Sequence, residues 1–424
     1  MEKMNYHVVY LILLFSTIFI PSFGTTDTPY THWIYLSIIN ALYFITSLIN
    51  QSSITLIKNK KLDTAILFYL CYLIWASLSI LYSINPAESF INSSKISITF
   101  FSIIILYNII NRVKFKTHYV LIGLTILMII ESLFSMYGFF YVIDKADYQL
   151  SFSNIFMKGL TGNKNITAAS IAFKLPFLFY FLLISKNKFL RLILIILASF
   201  ICFNLMVLSS RAILVSFLAC FIFILLIPLI NANFKKHILK YLIIFILPFI
   251  IGFITTKFYI NPDSNISLSN RVSSVTNYQD DESASTRLRY YKGGLEEFFR
   301  NPIISNGTGT WKIFSIRLDK EYINSYVVPY VAHNDFIEVL AEIGIIGFLL
   351  YVGFYFQLIR VLFINLKKVF SKKDIVLIIS VSQAFIIYLV DANLNFPQYR
   401  PIMIICILSL FMIVKKIEID YAKN

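Results

Sequence analysis

The sequence predicts an all-α polytopic membrane protein, with about twelve transmembrane helices and one long polar loop between the ninth and tenth. Three observations predict it. Hydrophobic residues make up 58% of the 424-residue chain and charged residues only 14%, with a mean hydropathy of +0.75. A water-soluble core does not need that much apolar side chain. Apolar runs of span length, about 20 residues each, recur along the chain, and basic residues cluster after every second run.

The runs fall near residues 8–23, 33–50, 64–84, 95–110, 119–140, 166–185, 191–208, 212–231, 239–256, 335–359, 374–392 and 401–415. The first is short enough to resemble a signal-peptide core. Pro21-Ser22-Phe23-Gly24 is a poor cleavage site, so it counts as a span. Cations follow alternate spans at Lys58/Lys60/Lys61, Arg112/Lys114/Lys116, Lys186/Lys188/Arg191 and Lys235/Lys236/Lys240. They recur at Arg360/Lys367/Lys368/Lys372/Lys373 and at Lys415/Lys416, while connectors 24–32 and 85–94 carry none. By the positive-inside rule both termini are cytoplasmic and the long loop lies outside. The net charge of +15 is spent on these connectors, so it implies membrane lipids and not nucleic acid as its partner. Three parts result: residues 1–256 with spans one to nine, the loop 257–334, and residues 335–424 with spans ten to twelve and a short cytoplasmic tail.

Cys71, Cys202, Cys220 and Cys406 all fall inside spans, without metal-ligand spacing, and read as small buried residues. The Asn-x-Ser/Thr matches at Asn92, Asn165, Asn265 and Asn306 read as chance. A transporter built of two six-span halves would carry its long connector after span six, where only Ser185–Arg191 stands.

Within the loop, Asn261–Ser283 is polar and turn-rich. Thr286–Arg300 reads as an amphipathic helix with Leu288, Tyr291, Leu295, Phe298 and Phe299 on its apolar face. Ser283 or Ser285 caps its start and Asn301-Pro302 ends it. Asn306-Gly307-Thr308-Gly309 reads as a flexible turn. Trp311, Tyr322, Tyr326 and Tyr330 suit a membrane interface.

Arg287 and Arg289 are expected in the first turn of that helix, where cations oppose the helix dipole and free N–H groups attract an anion. They read either as a phosphate site, which the planar guanidinium suits, or as a solvated basic face. Arg211, in Leu208-Ser209-Ser210-Arg211-Ala212, stands at the outer boundary between two spans. It reads as a functional cation or as a snorkelling anchor, and the charge rule disfavours a casual cation on that side. Lys174, inside span six, either lines a cavity or pairs with an acid. His333 opens span ten, and His32 is the other extracytoplasmic histidine. It reads as a general base or as a structural histidine. Asp335 and Glu338 form a D-x-x-E capping box; Glu342, one turn deeper on the same face, is harder to assign to capping. Asp280-Asp281-Glu282 read as solvated acids, so no metal is expected. Nucleotide and dinucleotide fingerprints, the nucleophile elbow and the zincin helix are missing from the sequence, so no cofactor is expected.

Four separated segments carry a resemblance: Gly162-Asn163-Lys164-Asn165-Ile166-Thr167-Ala168-Ala169; Ser209-Ser210-Arg211-Ala212; Arg287-Leu288-Arg289-Tyr290-Tyr291 through Asn301-Pro302 and Gly307-Thr308-Gly309; and His333-Asn334-Asp335-Phe336 through Glu342-Ile343-Gly344-Ile345-Ile346-Gly347. Across residues 160–350 the chain resembles the O-antigen ligase family, whose signature is shared with O-antigen polymerases and protein O-oligosaccharyltransferases. Ser305 and Tyr291 depart from it, standing where the family often has Gly and Trp. The resemblance implies a bacterial inner-membrane enzyme with a periplasmic active site, where the loop meets the bilayer. It moves a glycan from an undecaprenyl-diphosphate carrier to a lipid A-core sugar hydroxyl, or to a growing glycan in the polymerases. It implies that Arg211 and Arg287 hold the diphosphate and that His333 activates the acceptor, without metal. Arg289, Lys174, Asn334, Glu338 and Glu342 are candidate supporting residues. An exporter without covalent chemistry is the reading from another class, and predicts six-plus-six repeat symmetry.

Overall fold

The computed structural model describes residues 6–21, 23–24, 29–50, 57–58, 61–112, 116–143, 157–208, 210–259, 282–318, 320–322, 330–369 and 371–421. Asn265, Asp280, Asp281, Tyr326, Lys60, Lys114, Ser22 and Ser209 lie outside them, as does most of Asn261–Ser283.

The described chain is helical, apart from a two-residue antiparallel pairing of Ile57–Lys58 with Lys61–Leu62. In chain order the helices are α1 (Tyr6–Ser16), α2 (Pro29–Ile49), α3 (Thr64–Leu78), α4 (Pro86–Arg112), α5 (Thr117–Ile143), α6 (Lys164–Ile184) and α7 (Lys188–Leu208). They continue as α8 (Arg211–Ile230), α9 (Ile238–Tyr259), α10 (Glu282–Arg300), α11 (Trp311–Leu318), α12 (Asp335–Lys368), α13 (Lys372–Leu394) and α14 (Pro401–Tyr421).

Ten of these, α2 to α9 with α12 and α13, are long and apolar enough to cross a membrane, against the twelve expected. The outer two segments are helical but fall short. The first has eleven α-helical residues and three more in a 3-10 turn, about 20 Å against a hydrocarbon core of about 30 Å. In α14, Lys415, Lys416, Glu418 and Asp420 interrupt the apolar run.

The chain divides into two compact units. The first comprises residues 1–115, 278–360 and 392–415. In it Asp63 caps α3, its Oδ1 accepting from Ala65 N at 2.9 Å and Ile66 N at 3.3 Å, while Oδ2 pairs with Lys415 Nζ at 2.7 Å. Beyond the other end of α3, Ile84 N donates to Asn306 O at 3.0 Å. The cation-bearing segments around Lys61 and Lys415 and the long loop therefore meet α3 at opposite ends.

Asn306-Gly307-Thr308-Gly309 is not the flexible turn expected. Thr308 N donates to Ser79 Oγ at 3.0 Å, Ser89 Oγ donates to Thr308 O at 2.7 Å, and Asn92 Nδ2 donates to Thr308 Oγ1 at 2.7 Å. Gly307 and Gly309 take φ of 97° and 76°, a left-handed region that glycine enters without strain. The segment is a wedge held against the α3–α4 connector. Its neighbour Ser305 donates to Ala341 O at 2.6 Å.

α10 spans Glu282–Arg300, so Ser283 and Ser285 lie inside it and do not cap at Thr286. Its buried face also differs from expectation. Leu288, Leu295 and Phe299 are exposed, while Gly293, Gly294 and Glu297 turn inward. Two adjacent glycines let the α10 backbone approach closely: a Cβ on Gly294 would stand 2.6 Å from Ile337 Cγ2. The small loop core is Trp311, Phe314, Ala332 and Ala341, with Tyr290 and Leu318 packed on it. Trp311 is thus a core residue and not an interfacial anchor; Tyr322 and Tyr330 are exposed.

The second unit comprises residues 116–277, 361–391 and 416–424. Its most buried helix is α6, capped by Asn163 Oδ1, which accepts from Asn165 N at 2.9 Å. α7 and α9 pack closely at Gly252, where a Cβ would meet Phe203 N at 2.8 Å.

Candidate functional site

His333 sits in the connector just before α12, and its backbone takes φ 57°. Few non-glycine residues adopt that region, and such strain marks candidate functional positions. Two contacts hold it there. The Tyr291 hydroxyl, on α10, is 3.0 Å from His333 O and 3.0 Å from Asn393 O, sharing its proton between them. Asn334 follows as the true cap of α12, its Oδ1 accepting from Phe336 N at 3.0 Å and Ile337 N at 3.1 Å.

The capping box expected from Asp335 and Glu338 is therefore displaced by one residue. Asp335 is fully buried and its Oδ2 accepts from Gln398 N at 3.1 Å, tying the helix start to the α13–α14 connector. Glu338 reaches back to Ala332 N at 2.7 Å and bonds the Tyr399 hydroxyl. Both carboxylates brace the segment that carries His333.

Glu342 is not deeper in a continuous span. α12 breaks at Ile343 and Gly344, whose φ is 69°. Backbone carbonyls at Pro302 and Ile303 stand within 2.8 Å of any Cβ there, so only glycine fits. The Glu342 carboxylate turns to the start of α11, accepting from Gly309 N at 2.7 Å and Trp311 N at 2.8 Å. It caps that helix, satisfying N–H groups that have no partner within the helix.

The His333 imidazole lies edge-on to the Phe396 ring, with centroids 5.1 Å apart. Its Nδ1 is buried and has no hydrogen-bond partner among the described residues. Burial, then Arg287, then Arg400 lower its pKa from 6.5 to about 4. The ring is neutral at neutral pH and its free nitrogen can take a proton. Arg400 lies over Phe396 at 4.6 Å.

Arg287 is the sixth residue of α10, so it is not at the free helix end that the sequence suggested. It bears on His333 through its charge. Arg289 stacks over the Tyr322 ring at 3.8 Å, a cation–π contact.

Two candidates belong to the second unit. Arg211 is the first residue of α8, whose Ser210 N-cap makes no side-chain capping bond. Lys174 is 2% exposed, and its partner is Glu131 on α5, at 2.8 and 3.0 Å. Ser170 Oγ is 2.5 Å from the same ammonium. Desolvation offsets much of the attraction in such a buried pair.

In the first unit a cavity of about 560 Å³ opens beside this segment, within the size range of small-molecule sites. Its wall takes Trp33 from α2, Glu88 and Lys95 from α4, Lys312 from α11, and Tyr399 and Arg400 from the connector before α14. The sequence reading overlooked all six. Lys95 and Arg400 carried a usable signal: each is a cation at a span end on the side the charge rule leaves cation-poor, the argument applied to Arg211.

No curated protein matches the chain. Residues 196–352, however, match the O-antigen ligase family model. The matched range begins after Lys174 and the Gly162–Ala169 segment, and contains Arg211, Arg287, Arg289, His333, Asn334, Glu338 and Glu342. A strained histidine braced at the start of α12, inside that matched range, accompanies ten helices long and apolar enough to cross a membrane: over residues 196–352, somewhat more than a third of its length, the chain is similar to the O-antigen ligase family.

Proposed function

We propose that this protein transfers a glycan from an undecaprenyl-diphosphate carrier to a sugar hydroxyl of the lipid A core, on the periplasmic face of the bacterial inner membrane. The observation that carries the reading is His333, a half-buried imidazole with a buried Nδ1, whose pKa is lowered by burial and by the charges of Arg287 and Arg400, within the segment matched by the family model. A neutral imidazole can act as a base, and cations nearby attract the anionic leaving group.

In the proposed step the acceptor oxygen attacks the anomeric carbon and forms the new glycosidic bond. His333 takes the hydroxyl proton. The bond from the anomeric carbon to the phosphate oxygen breaks, and undecaprenyl diphosphate departs with the electron pair. Arg287 and Arg211 have the roles the family resemblance implies, balancing the charge that grows on the diphosphate. Each such contact lowers the barrier by about 3–4 kcal/mol. A diphosphate leaving group needs no strong general acid. Asn334, Glu338 and Glu342 support the site through the backbone contacts described.

Deleting the gene and examining surface glycans tests the acceptor. Loss of long chains from lipid A, with lipid-linked polymer accumulating, is the expected result. Accumulation of single repeat units would make the protein a polymerase instead. Glycan movement without bond formation, in a transport assay, would make it an exporter. In a purified transfer assay His333→Ala and Arg211→Ala should be inactive while still inserting; normal transfer by either rejects their assignment.

A further inference from the structure

Resting on that transfer reading, we propose that the cavity in the first unit is a subsite for a pyranose residue of the acceptor glycan, next to the hydroxyl that reacts. Within that unit, and among the described residues, Arg287 does not line it, so it is distinct from the first unit's cation assigned to the diphosphate. One of its walls is Phe396, the ring that meets His333. A base takes its proton from the acceptor, so a cavity adjoining the base and not lined by Arg287 suits the acceptor sugar.

Its chemistry fits a sugar ring. Trp33 and Trp311 line it, are 4% and 1% exposed, and their indole N–H groups have no hydrogen-bond partner among the described residues. Buried indole donors ordinarily find an acceptor, and sugar hydroxyls supply acceptors. Lys95 Nζ stands 4.9 Å from the Tyr30 ring centroid and 5.8 Å from that of Tyr399, a donor between two flat apolar faces. Glu88 and Lys312 pair at 2.6 Å and offer an acceptor and donors side by side to vicinal hydroxyls. Aromatic faces with a few fixed polar groups are what a small polar ring requires.

The cavity carries its own reporter, since Trp33 and Trp311 are two of the three tryptophans. The third, Trp75, donates to Ile343 O at 2.9 Å. The full-length protein in lipid nanodiscs would be titrated with core oligosaccharide released from lipid A by mild acid, and separately with glycan released from the carrier lipid. The core oligosaccharide should change tryptophan emission saturably in the wild type and in His333→Ala. Lys95→Ala and Glu88→Gln should each weaken that binding by about tenfold. In transfer assays both should raise the acceptor KM by about as much, with the donor KM held within about twofold. Lys95→Arg should restore part of the loss, and Trp33→Phe should lose part of the emission change, so one misfolded variant does not decide the matter. Absence of saturable change in the wild type, binding indifferent to both substitutions, or a KM rise confined to the donor overturns the subsite. Binding that depends on Lys95 without any transfer by the wild type keeps the subsite and rejects the transferase. Transfer with an unchanged acceptor KM in both variants does the reverse.

Discussion

Tyr291 on α10 and His333 before α12 are joined through the main chain: the tyrosine hydroxyl lies 3.0 Å from the histidine carbonyl oxygen. The contact fixes the backbone that aims the imidazole and leaves the ring itself unencumbered. Tyr291 stands where the resembling family often has tryptophan, so this chain holds the histidine segment with a phenol.

Tyr291→Phe should therefore slow transfer without removing it. A neutral hydrogen bond is worth about 0.5–1.5 kcal/mol, so kcat should fall roughly two- to tenfold, with donor and acceptor KM little changed. The check is steady-state transfer by purified protein, alongside its melting temperature. A kcat equal to the wild type's would show that φ at His333 is held by other contacts.

The pH profile should report the charges around His333. Burial, Arg287 and Arg400 bring its pKa down to about 4. A base works in its neutral form, so kcat/KM should hold from neutrality down to about pH 4 and fall as the ring protonates below it. Arg400→Gln removes one of the cations that repel the imidazolium. The pKa should rise toward 6.5, carrying the acid limb to higher pH and costing the variant more activity at pH 5 than at pH 7. An acid limb that stays put or moves to lower pH would disprove the assignment of that limb to His333.

Glu342 should behave as a structural carboxylate. It accepts from Gly309 N and Trp311 N, and such hydrogen bonds are worth about 0.5–1.5 kcal/mol each. Glu342→Ala leaves both N–H groups without that acceptor, so the melting temperature should drop and proteolysis near residues 303–310 should quicken. Glu342→Gln keeps one acceptor oxygen and should be milder. Full thermal stability with lost turnover would return Glu342 to the chemistry.

Apolar runs and alternating charge made the spans legible, because hydrocarbon imposes the same length and the same end chemistry on each. The motif around His333 was legible as a resemblance. Other features rest on encounters between distant residues. Ile343-Gly344-Ile345-Ile346-Gly347 reads as uninterrupted apolar helix, and the break at Gly344 exists because the carbonyls of Pro302 and Ile303 pass close by. The apolar stripe Leu288–Leu295–Phe299 invited the wrong face of α10, because glycines contribute nothing to a hydrophobic pattern yet permit the closest packing. The cavity draws on Trp33, Lys95, Lys312 and Arg400, spread across the chain and joined only by folding. Lys174 announced that it needed a partner; only the structure names Glu131.

The two glycines of α10 should separate close approach from ordinary helix propensity. At Gly294 an added Cβ would meet Ile337 Cγ2 at 2.6 Å and Trp311 Cζ3 at 3.2 Å. Ile337 is β-branched and stiff within its helix, and Trp311 is 1% exposed, so neither yields easily. Gly294→Ala should destabilise by about 1–3 kcal/mol, and by shifting Trp311 it should alter the emission of the cavity as well. At Gly293 the nearest atom is Leu318 Cδ1 at 3.0 Å, the far end of a flexible side chain, while alanine gains about 1 kcal/mol in helix propensity. Gly293→Ala should therefore be close to neutral. Thermal melting of both variants checks the pair. Equal losses would mean that α10 does not rest on Ile337 and Trp311 as closely as the Gly294 backbone indicates, and the docking that brings Tyr291 to His333 would need another cause.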